Sequence, residues 1–517
     1  MLYHGVLGVS GTAEEAEPLL RSRSPFEPSG TVGTRAENAN PRIFVDNVPD
    51  AKRQLGLLSA ISLIFNMVIG TGVFAGPSII LNSSGSVGMT FVMWILGALV
   101  AAAGTAVDIE FGTGLPRSGG EKVYLEYVYR RPAFMISCVY ALYGTLSGWM
   151  AIPSVTFGES YESTPTRVRV VAFLCSTFCL VVHGVFLNFG LRLQNTLGAF
   201  KLLALVLVAG SGVLSLAGVP GFSVGDEYDQ PNNFAWSTFW EGSNFGANAF
   251  VTGMYNVIWS YTGYSNANFA LSEVRDPVWT IKRAAPIAMF FVAFVYLAVN
   301  VAYFAVVSKT DMLGGGTIPA ALFFRNLYGP ATERILSAII ALSMLGNILV
   351  GLFSQGRVVQ ELGREGVLPY SSFFASNKPF NTPFAGLFTQ YLASVFLMTF
   401  APPGDAYLFM VNCESLISSY NWDPPFRAHK YAVVFFFLSN VFLTVVPMMP
   451  LSAGFELYEH LPYYSHVVVS VFVGMLGVVY WFIVFKWIPG RNGYKLKQVT
   501  VTQDDVTRNV FRAIPVS

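Results

Sequence analysis

Charge is what this sequence has least of. Of its 517 residues only 12% are Asp, Glu, Lys or Arg, about half the share usual in a soluble chain, roughly 25%. The two signs nearly cancel, 31 Lys and Arg against 30 Asp and Glu, for a net charge of +1. That leaves no global field to attract nucleic acid, so no such partner is expected. Histidine is scarce as well, and the 5 residues are scattered without a metal set or a proton relay. The four cysteines, Cys138, Cys175, Cys179 and Cys413, lie in or beside apolar segments. They have neither metal-ligand spacing nor the pattern of a secreted disulfide framework. Cys175 and Cys179 share a helix face and read as small packing residues. The chain also lacks a P-loop, a soluble segment large enough for an ATPase domain, and a leader of signal-peptide form. Primary pumping, catalysis, a cofactor and a metal are therefore not expected.

Apolar residues are abundant, 53% of the chain. They gather into runs of about 20, long enough as helices to cross a hydrocarbon core roughly 30 Å thick. Residues 1–53 are rich in Ser, Pro, Gly, Glu and Arg, lack such a run, and read as a disordered cytoplasmic tail. Spans follow at 57–82, 87–112, 133–157, 168–188, 195–218, 246–271, 284–308, 332–356, 384–402, 430–450 and 464–487. The membrane domain thus covers 54–490, and 491–517 reads as a second cytoplasmic tail. The bilayer itself is the first partner this composition implies.

Basic residues set the orientation. With the N-terminal tail inside, the inner segments are 1–56, 113–132, 189–194, 272–283, 357–383, 422–430 and 486–517, and they hold 25 of the 31 Lys and Arg. Arg167, Arg169, Lys309, Arg325 and Arg334 fall outside, and Lys201 falls within a span. This is a strong positive-inside bias. The loop 219–245 agrees, with Asp226, Glu227, Asp229 and Glu241 but no basic residue. Two cytoplasmic termini require an even number of crossings, yet only eleven spans stand out. A further crossing would fall at 405–421, where Ala406 to Tyr420 is 15 residues, about 22 Å of helix. It carries Glu414, costly at mid-membrane. The tenth crossing is therefore read as truncated, distorted or partly missing.

The first span contains Asn66-Met67-Val68-Ile69-Gly70-Thr71-Gly72-Val73-Phe74-Ala75-Gly76-Pro77. Its glycines weaken the helix at mid-span, and Pro77 removes a backbone donor. Unwound backbone is tolerated in a membrane only where it lines a cavity or is buried by protein. The amides of Thr71 and Gly72, opening a half-helix, suit a carboxylate. Taken alone, the patch also reads as close helix packing through small residues. The sixth span shifts the balance. Trp259-Ser260-Tyr261-Thr262-Gly263-Tyr264-Ser265-Asn266-Ala267-Asn268 interrupts an apolar helix with polar residues. It opens the second half of the crossings as the first span opens the first. Paired interruptions of this kind point to a substrate site between inverted repeats. The carbonyls of Trp259, Ser260 and Thr262 suit an ammonium, so the two breaks together suit a zwitterionic amino acid. Trp259 and Tyr264 flank the break and are candidate gates, with ring packing as the simpler alternative.

Lys201 lies six or more residues inside the fifth span, where a charge is expensive and marks function by default. It is the candidate ion-coupling group. Either its protonation couples to transport, or its ammonium stands where another transporter holds sodium; snorkelling to the inner interface is the plainer reading. Asp108 and Glu110 end the second span before a Gly- and Pro-rich turn that carries Arg117. Arg357, Arg364 and Glu365 crowd the inner end of the eighth span. Glu110, Arg117 and Arg357 are the candidate inner-gate network, with interfacial pairing as the alternative.

These segments resemble the amino acid–polyamine–organocation superfamily. The resemblance rests on the first span, Pro116-Arg117-Ser118-Gly119-Gly120-Glu121, Gly190-Leu191-Arg192-Leu193-Gln194-Asn195 through Lys201, Ser260-Tyr261-Thr262-Gly263-Tyr264 with Glu273, and Arg364-Glu365-Gly366-Val367-Leu368-Pro369. More narrowly the chain is similar to the L-type branch and, through His183-Gly184 to Lys201 and Asn421-Trp422-Asp423-Pro424-Pro425-Phe426, to fungal methionine permeases within it. The likeness runs from about 53 to 490. It implies an all-α polytopic membrane protein of leucine-transporter-like fold. Two inverted five-helix repeats and two further helices make nominally 12 crossings, the tenth short or missing here. It implies carboxylate binding at Thr71 and Gly72, and amino-group binding at the carbonyls of Val68, Trp259 and Thr262. The substrate-binding set is then Val68, Ile69, Gly70, Thr71, Gly72, Trp259, Ser260, Tyr261, Thr262 and Gly263, with Trp259 as outer gate. Lys201 in place of a sodium ion implies sodium independence, and fungal relatives are typically proton symporters.

Two departures bear on the expectation. L-type exchangers that join a glycoprotein heavy chain use a cysteine in the loop after the third span. None lies between Ser154 and Val168, so a disulfide-linked heavy chain is not expected. Relatives also carry a longer tenth span. The function expected is secondary active transport of a neutral L-amino acid, methionine foremost, at the plasma membrane by alternating access, sodium-independent and proton-coupled. An amino acid sensor without net transport and an amine or polyamine permease are the alternatives. A polyamine would leave the amides of Thr71 and Gly72 without a carboxylate.

Overall fold

Backbone N–H and C=O groups cannot be left bare in hydrocarbon, so a chain this apolar must satisfy them inside helices or a closed barrel. The computed structural model describes residues 53, 55–70, 72–129, 131–146, 148, 150–161, 164–314, 318–400, 424–445, 465–503 and 506–515, and it takes the helical route. The first span is two helices, α1 (Leu57–Val68) and α2 (Gly72–Ser84), bent by 42° where they meet. Then come α3 (Val87–Gly114), the short loop helix α4 (Glu121–Val128), α5 (Met135–Leu146) with α6 (Ala151–Glu159), α7 (Pro165–Val185) and α8 (Leu187–Leu216). After a loop turn, α9 (Trp236–Phe239), the sixth span is α10 (Ala247–Tyr261) followed by a tight helix at Asn266–Glu273. The remainder is α11 (Pro277–Val306), α12 (Lys309–Leu313), α13 (Pro319–Tyr328), α14 (Glu333–Arg364), α15 (Ser371–Ala375), α16 (Phe384–Phe400), α17 (Lys430–Val445) and α18 (Ser465–Phe482).

Among the described residues, seven helices or helix pairs are long and apolar enough to cross a membrane, and the bent α1–α2 pair makes an eighth. α16 and α17 are apolar but shorter. Within the described residues, each of the eleven spans read from the sequence contains helix. Their ends differ because polar turns stay helical beyond the apolar run: α8 starts at Leu187 and not 195, and α14 reaches Arg364 and not 356. Residues 405–421 and 1–52 lie outside the described residues. The tail after 491 adds an element the all-α reading did not contain, an antiparallel hairpin of β1 (Tyr494–Gln503) and β2 (Val506–Pro515). It is tied to the helices by Gln498 Nε2, which donates to Glu365 O at 3.2 Å, and by Phe511, stacked edge-on to Phe134 and Phe485.

The buried side chains form two main bodies. One gathers α1, α2, α3, α10 and α11 around Trp94, Tyr261, Tyr296 and Tyr303. The other gathers α7, α8, α14 and α16 around Leu180, Leu197, Leu349 and Leu387, with Cys175 and Cys179 among its small packing residues. Outward faces are apolar instead of charged, for example Phe290 at 71% and Phe294 at 63% exposure on α11. That pattern suits a lipid solvent and would be a liability in water. The third span shows how bare backbone is handled: between α5 and α6, buried Gln390 of α16 donates to Gly144 O, and buried Ser394 accepts from Met150 N at 3.3 Å.

Candidate functional site

The last carbonyls of any helix have no partner within it, and in α1 they end in mid-membrane. Ile69 turns to φ −78°, ψ 95°, which stops the helix while its amide still bonds Phe65 O. Each of the four successive carbonyls from Asn66 to Ile69 receives a side-chain donor from one of three other helices. Lys201 Nζ of α8 donates to Asn66 O at 3.1 Å and Ile69 O at 2.7 Å. Asn347 Nδ2 of α14 donates to Met67 O at 3.3 Å, and the Tyr296 hydroxyl of α11 donates to Val68 O at 2.8 Å. Asn66 in turn donates to Gln194 O at 2.7 Å. Lys201 is 1% exposed, so it does not snorkel; its head group is held against the carbonyls at the end of α1.

The second break faces the first. α10 stops at Tyr261, Thr262 turns to ψ 136°, and Gly263 takes φ +111°, a conformation an L side chain rarely adopts. A Cβ on Gly263 would also lie 3.0 Å from Met67 Cβ. The Trp259 carbonyl accepts from Thr262 N at 3.0 Å, and the Ser260 carbonyl lies 2.8 Å from the same Tyr296 hydroxyl that reaches Val68. Gly72, the first residue of α2, packs onto Ser260 so closely that a Cβ there would collide with Ser260 Oγ. A Cβ on Gly70 would collide likewise with Asn347 Nδ2. Val68, Ile69, Gly70, Gly72, Ser260 and Gly263 therefore converge; Thr71 lies outside the described residues. Tyr261 is fully buried against Trp94 and Tyr296. Trp259 and Tyr264 are half-buried, and the Tyr264 hydroxyl is directed to α3, close to Gly104.

Where α1 begins and α14 ends, the charged residues form two groups, one around Glu273 and one around Glu365. Arg357 of α14 grips Glu273 in a two-pronged pair, Nε to Oε1 at 2.5 Å and Nη2 to Oε2 at 3.2 Å, with its guanidinium 3.5 Å over the Phe353 ring. Glu273 O accepts from Leu55 N at 3.0 Å and Arg275 N donates to Leu55 O at 2.8 Å, so the chain entering α1 is pinned to the same point. Arg117 reaches Glu365 at 3.5 Å. Lys122, buried on α4, lies between Glu126 at 2.9 Å and Glu365. Burial pushes the Lys122 ammonium below its ordinary pKa; Glu126 opposes that shift and Arg117 adds to it. Glu110, expected beside Arg117, instead accepts from the Ala428 amide at 2.8 Å. Ser118 and Ser272 exchange bonds at 2.8 and 3.2 Å, which ties the α3–α4 turn to the tight helix after the second break.

Lys122, Asn347 and Tyr296 were not singled out from the sequence. The partners of Asn347 and Tyr296 lie on other elements, and although Glu126 is four residues from Lys122 on the same helix, its other partner, Glu365, is far away in the chain. A polar residue deep in an apolar run was the only available signal, and it picks out Asn347 better than one tyrosine among 24.

A family model described as amino acid permease matches residues 55–473. The chain belongs to the amino acid permease family. It is 39% identical over 490 residues to the high-affinity methionine permease of Saccharomyces cerevisiae, covering 89% of this chain and 84% of that one. It is 26% identical over 500 residues to the low-affinity methionine permease of the same yeast, 91% and 89% of the two chains. The human Asc-type amino acid transporter 1 matches at 32% over 333 residues, 62% of this permease and 60% of that protein. The protein is thus a multi-pass membrane transporter of this family and not an enzyme.

Proposed function

We propose that this permease, with both termini cytoplasmic, moves a neutral L-amino acid, methionine foremost, across the plasma membrane by alternating access, without sodium and driven by protons. The observation that carries the reading is the facing pair of helix breaks, whose carbonyls are served by Lys201, Asn347 and Tyr296. The substrate carboxylate rests on the amides of Thr71 and Gly72 at the start of α2, where the helix dipole favours an anion. Its ammonium sits against the carbonyls of the Val68 and Trp259–Thr262 segments. Trp259 closes the outer side, while Tyr264, directed to α3, anchors the break. The Arg357–Glu273 and Arg117–Glu365 pairs close the inner side. Lys201 supplies the positive charge that a sodium ion would bring, and proton movement couples at or beside it. The methionine preference is supported by the two yeast relatives named for that substrate. No disulfide-linked heavy chain and no cofactor enter the scheme.

In this reading α14 moves against α1 and the segment that follows the second break, where the contacts include the polar ones of Asn347 and Arg357. Uptake of labelled methionine into proteoliposomes, with and without an inward acid gradient, tests the proposal. Saturable uptake that the gradient accelerates is expected. Saturable uptake indifferent to the gradient would remove the symport claim. No uptake, even by a chain with a lengthened tenth crossing, would remove the substrate claim.

A further inference from the structure

The hairpin that follows the last crossing has two chemically different faces. Antiparallel partners share a face, and the face alternates at each residue along a strand. Gln498 pairs with Phe511 in the register, and both contact the helices. Gln498 Nε2 donates to Glu365 O at 3.2 Å, and the Phe511 ring lies edge-on to Phe134 and Phe485. The next pair, Lys497 opposite Arg512, therefore lies on the other face, and Lys495 joins it two residues along. These three cations are exposed, while Leu496, Gln498 and Phe511 are half-buried. Like charges placed directly opposite across a sheet destabilise it. Among the described residues the ion pairs take up Arg117, Lys122, Arg357 and Arg364, and no carboxylate meets Lys495, Lys497 or Arg512. Lys497 and Arg512 thus stand side by side with no described acidic side chain between them.

The last crossing fixes where this face lies. Its apolar run ends at Arg491, and β1 begins three residues later at Tyr494. Two exposed cations lie over rings there, Lys486 Nζ 5.8 Å from the centre of the Trp481 ring and Arg491 Cζ 5.6 Å from that of Trp487. An exposed tryptophan at the end of a span, as Trp487 is, marks the headgroup level. Lys486, Arg491, Lys495, Lys497 and Arg512 so gather at the end of one crossing, and basic clusters in this position attract anionic lipid. We propose that the face of the hairpin turned from the helices, centred on Lys497 and Arg512, binds an anionic phospholipid of the cytoplasmic leaflet through its headgroup phosphate. A guanidinium takes a phosphate in a two-pronged grip and an ammonium adds a point charge. One headgroup thereby relieves the repulsion across the strands. The choice of leaflet rests on the reading that the C-terminal end is cytoplasmic.

Native mass spectrometry of the purified full-length chain in neutral detergent, titrated with phosphatidylserine or phosphatidylcholine, tests this. The wild type should retain phosphatidylserine with about tenfold higher affinity than phosphatidylcholine. Lys497→Gln with Arg512→Gln should weaken phosphatidylserine by about tenfold and leave phosphatidylcholine unchanged. The same loss of two charges by Arg167→Gln with Arg169→Gln, at the start of α7, should leave both lipids unchanged. Without added lipid the hairpin variant should melt no lower than the wild type, since it removes a like-charge pair. A wild type without preference for phosphatidylserine overturns the proposal. Equal losses from the two double variants also overturn it, because net charge and not the hairpin would then attract the lipid. A hairpin variant that melts lower without lipid shows the two cations to be structural and overturns it likewise. Detergent removes the sidedness of the membrane, so orientation is tested apart: exposed Asn492, as Asn492→Cys, should resist an impermeant maleimide applied to intact cells. Labelling there would overturn the cytoplasmic leaflet as the source, whatever the titration shows.

Discussion

Gly72 and Ser260 touch across the two breaks: a Cβ on Gly72 would collide with Ser260 Oγ and lie 2.8 Å from Ser260 Cα. The contact sets how near the start of α2 comes to the end of α10, and hence the width of the space between the breaks. Gly72→Ala should force the two apart, an overpacking cost of about 1–3 kcal/mol, and reduce methionine uptake at least tenfold at unchanged surface expression. Adding Ser260→Gly removes the colliding Oγ and Cβ but not the Cα, so it should restore uptake in part. Normal uptake by the single variant would show that this approach is not needed.

Lys201 is the second critical contact. Lys201→Met leaves Asn66 O and Ile69 O without their charged donor, and hydrogen bonds to charged groups contribute about 1.5–3 kcal/mol each. Uptake should fall by well over tenfold. In the wild type, replacing sodium by choline should leave uptake unchanged, because the ammonium already serves these carbonyls. Dependence on sodium in the wild type would contradict that placement.

Lys122 tests the inner cluster. Lys122→Met removes the buried ammonium that lies between Glu126 and Glu365, and breaking a buried pair from one side costs about 3–5 kcal/mol. The detergent-solubilised variant should melt several degrees lower, and Glu365→Gln in the same chain should recover part of the loss. An unchanged melting temperature would mean that water reaches these carboxylates freely.

Arg357 holds α14 to Glu273 and, through Glu273 and Arg275, to the chain entering α1. With Ser272→Cys as a reporter, Arg357→Ala should raise the rate of labelling by a membrane-impermeant maleimide from the cytoplasmic side several-fold. Arg357→Lys keeps the charge but loses the two-pronged geometry, so it should give an intermediate rate. Equal rates in all three chains would remove this pair from the inner closure.

Much of the architecture was legible because its cause is local. A run of about 20 apolar residues forms a helix in a membrane whatever surrounds it, so the apolar runs among the described residues carry helix. Gly70, Gly72 and Gly263 marked the breaks for a related reason: glycine in a span interior is costly unless backbone must bend or approach closely. Lys201 declared itself through the cost of burying charge. The partners of the freed carbonyls were not legible, since Tyr296 and Asn347 meet α1 only through the fold. Glu110 was placed beside Arg117 by proximity in sequence, yet it accepts from Ala428 N more than three hundred residues on. The hairpin after Tyr494 had a visible signal, β-branched residues in Val499-Thr500-Val501-Thr502 followed in sequence by two aspartates. Its basic residues led instead to reading it as a tail.

The account centres on two facing breaks forming an amino acid site whose cation positions are already filled by protein side chains. Equilibrium binding of labelled methionine to the purified protein in sodium-free buffer tests that most directly. The account predicts saturable binding, unchanged by added sodium and displaced by unlabelled methionine but not by putrescine. Binding that appears only with sodium, or that putrescine displaces as well as methionine does, would contradict it.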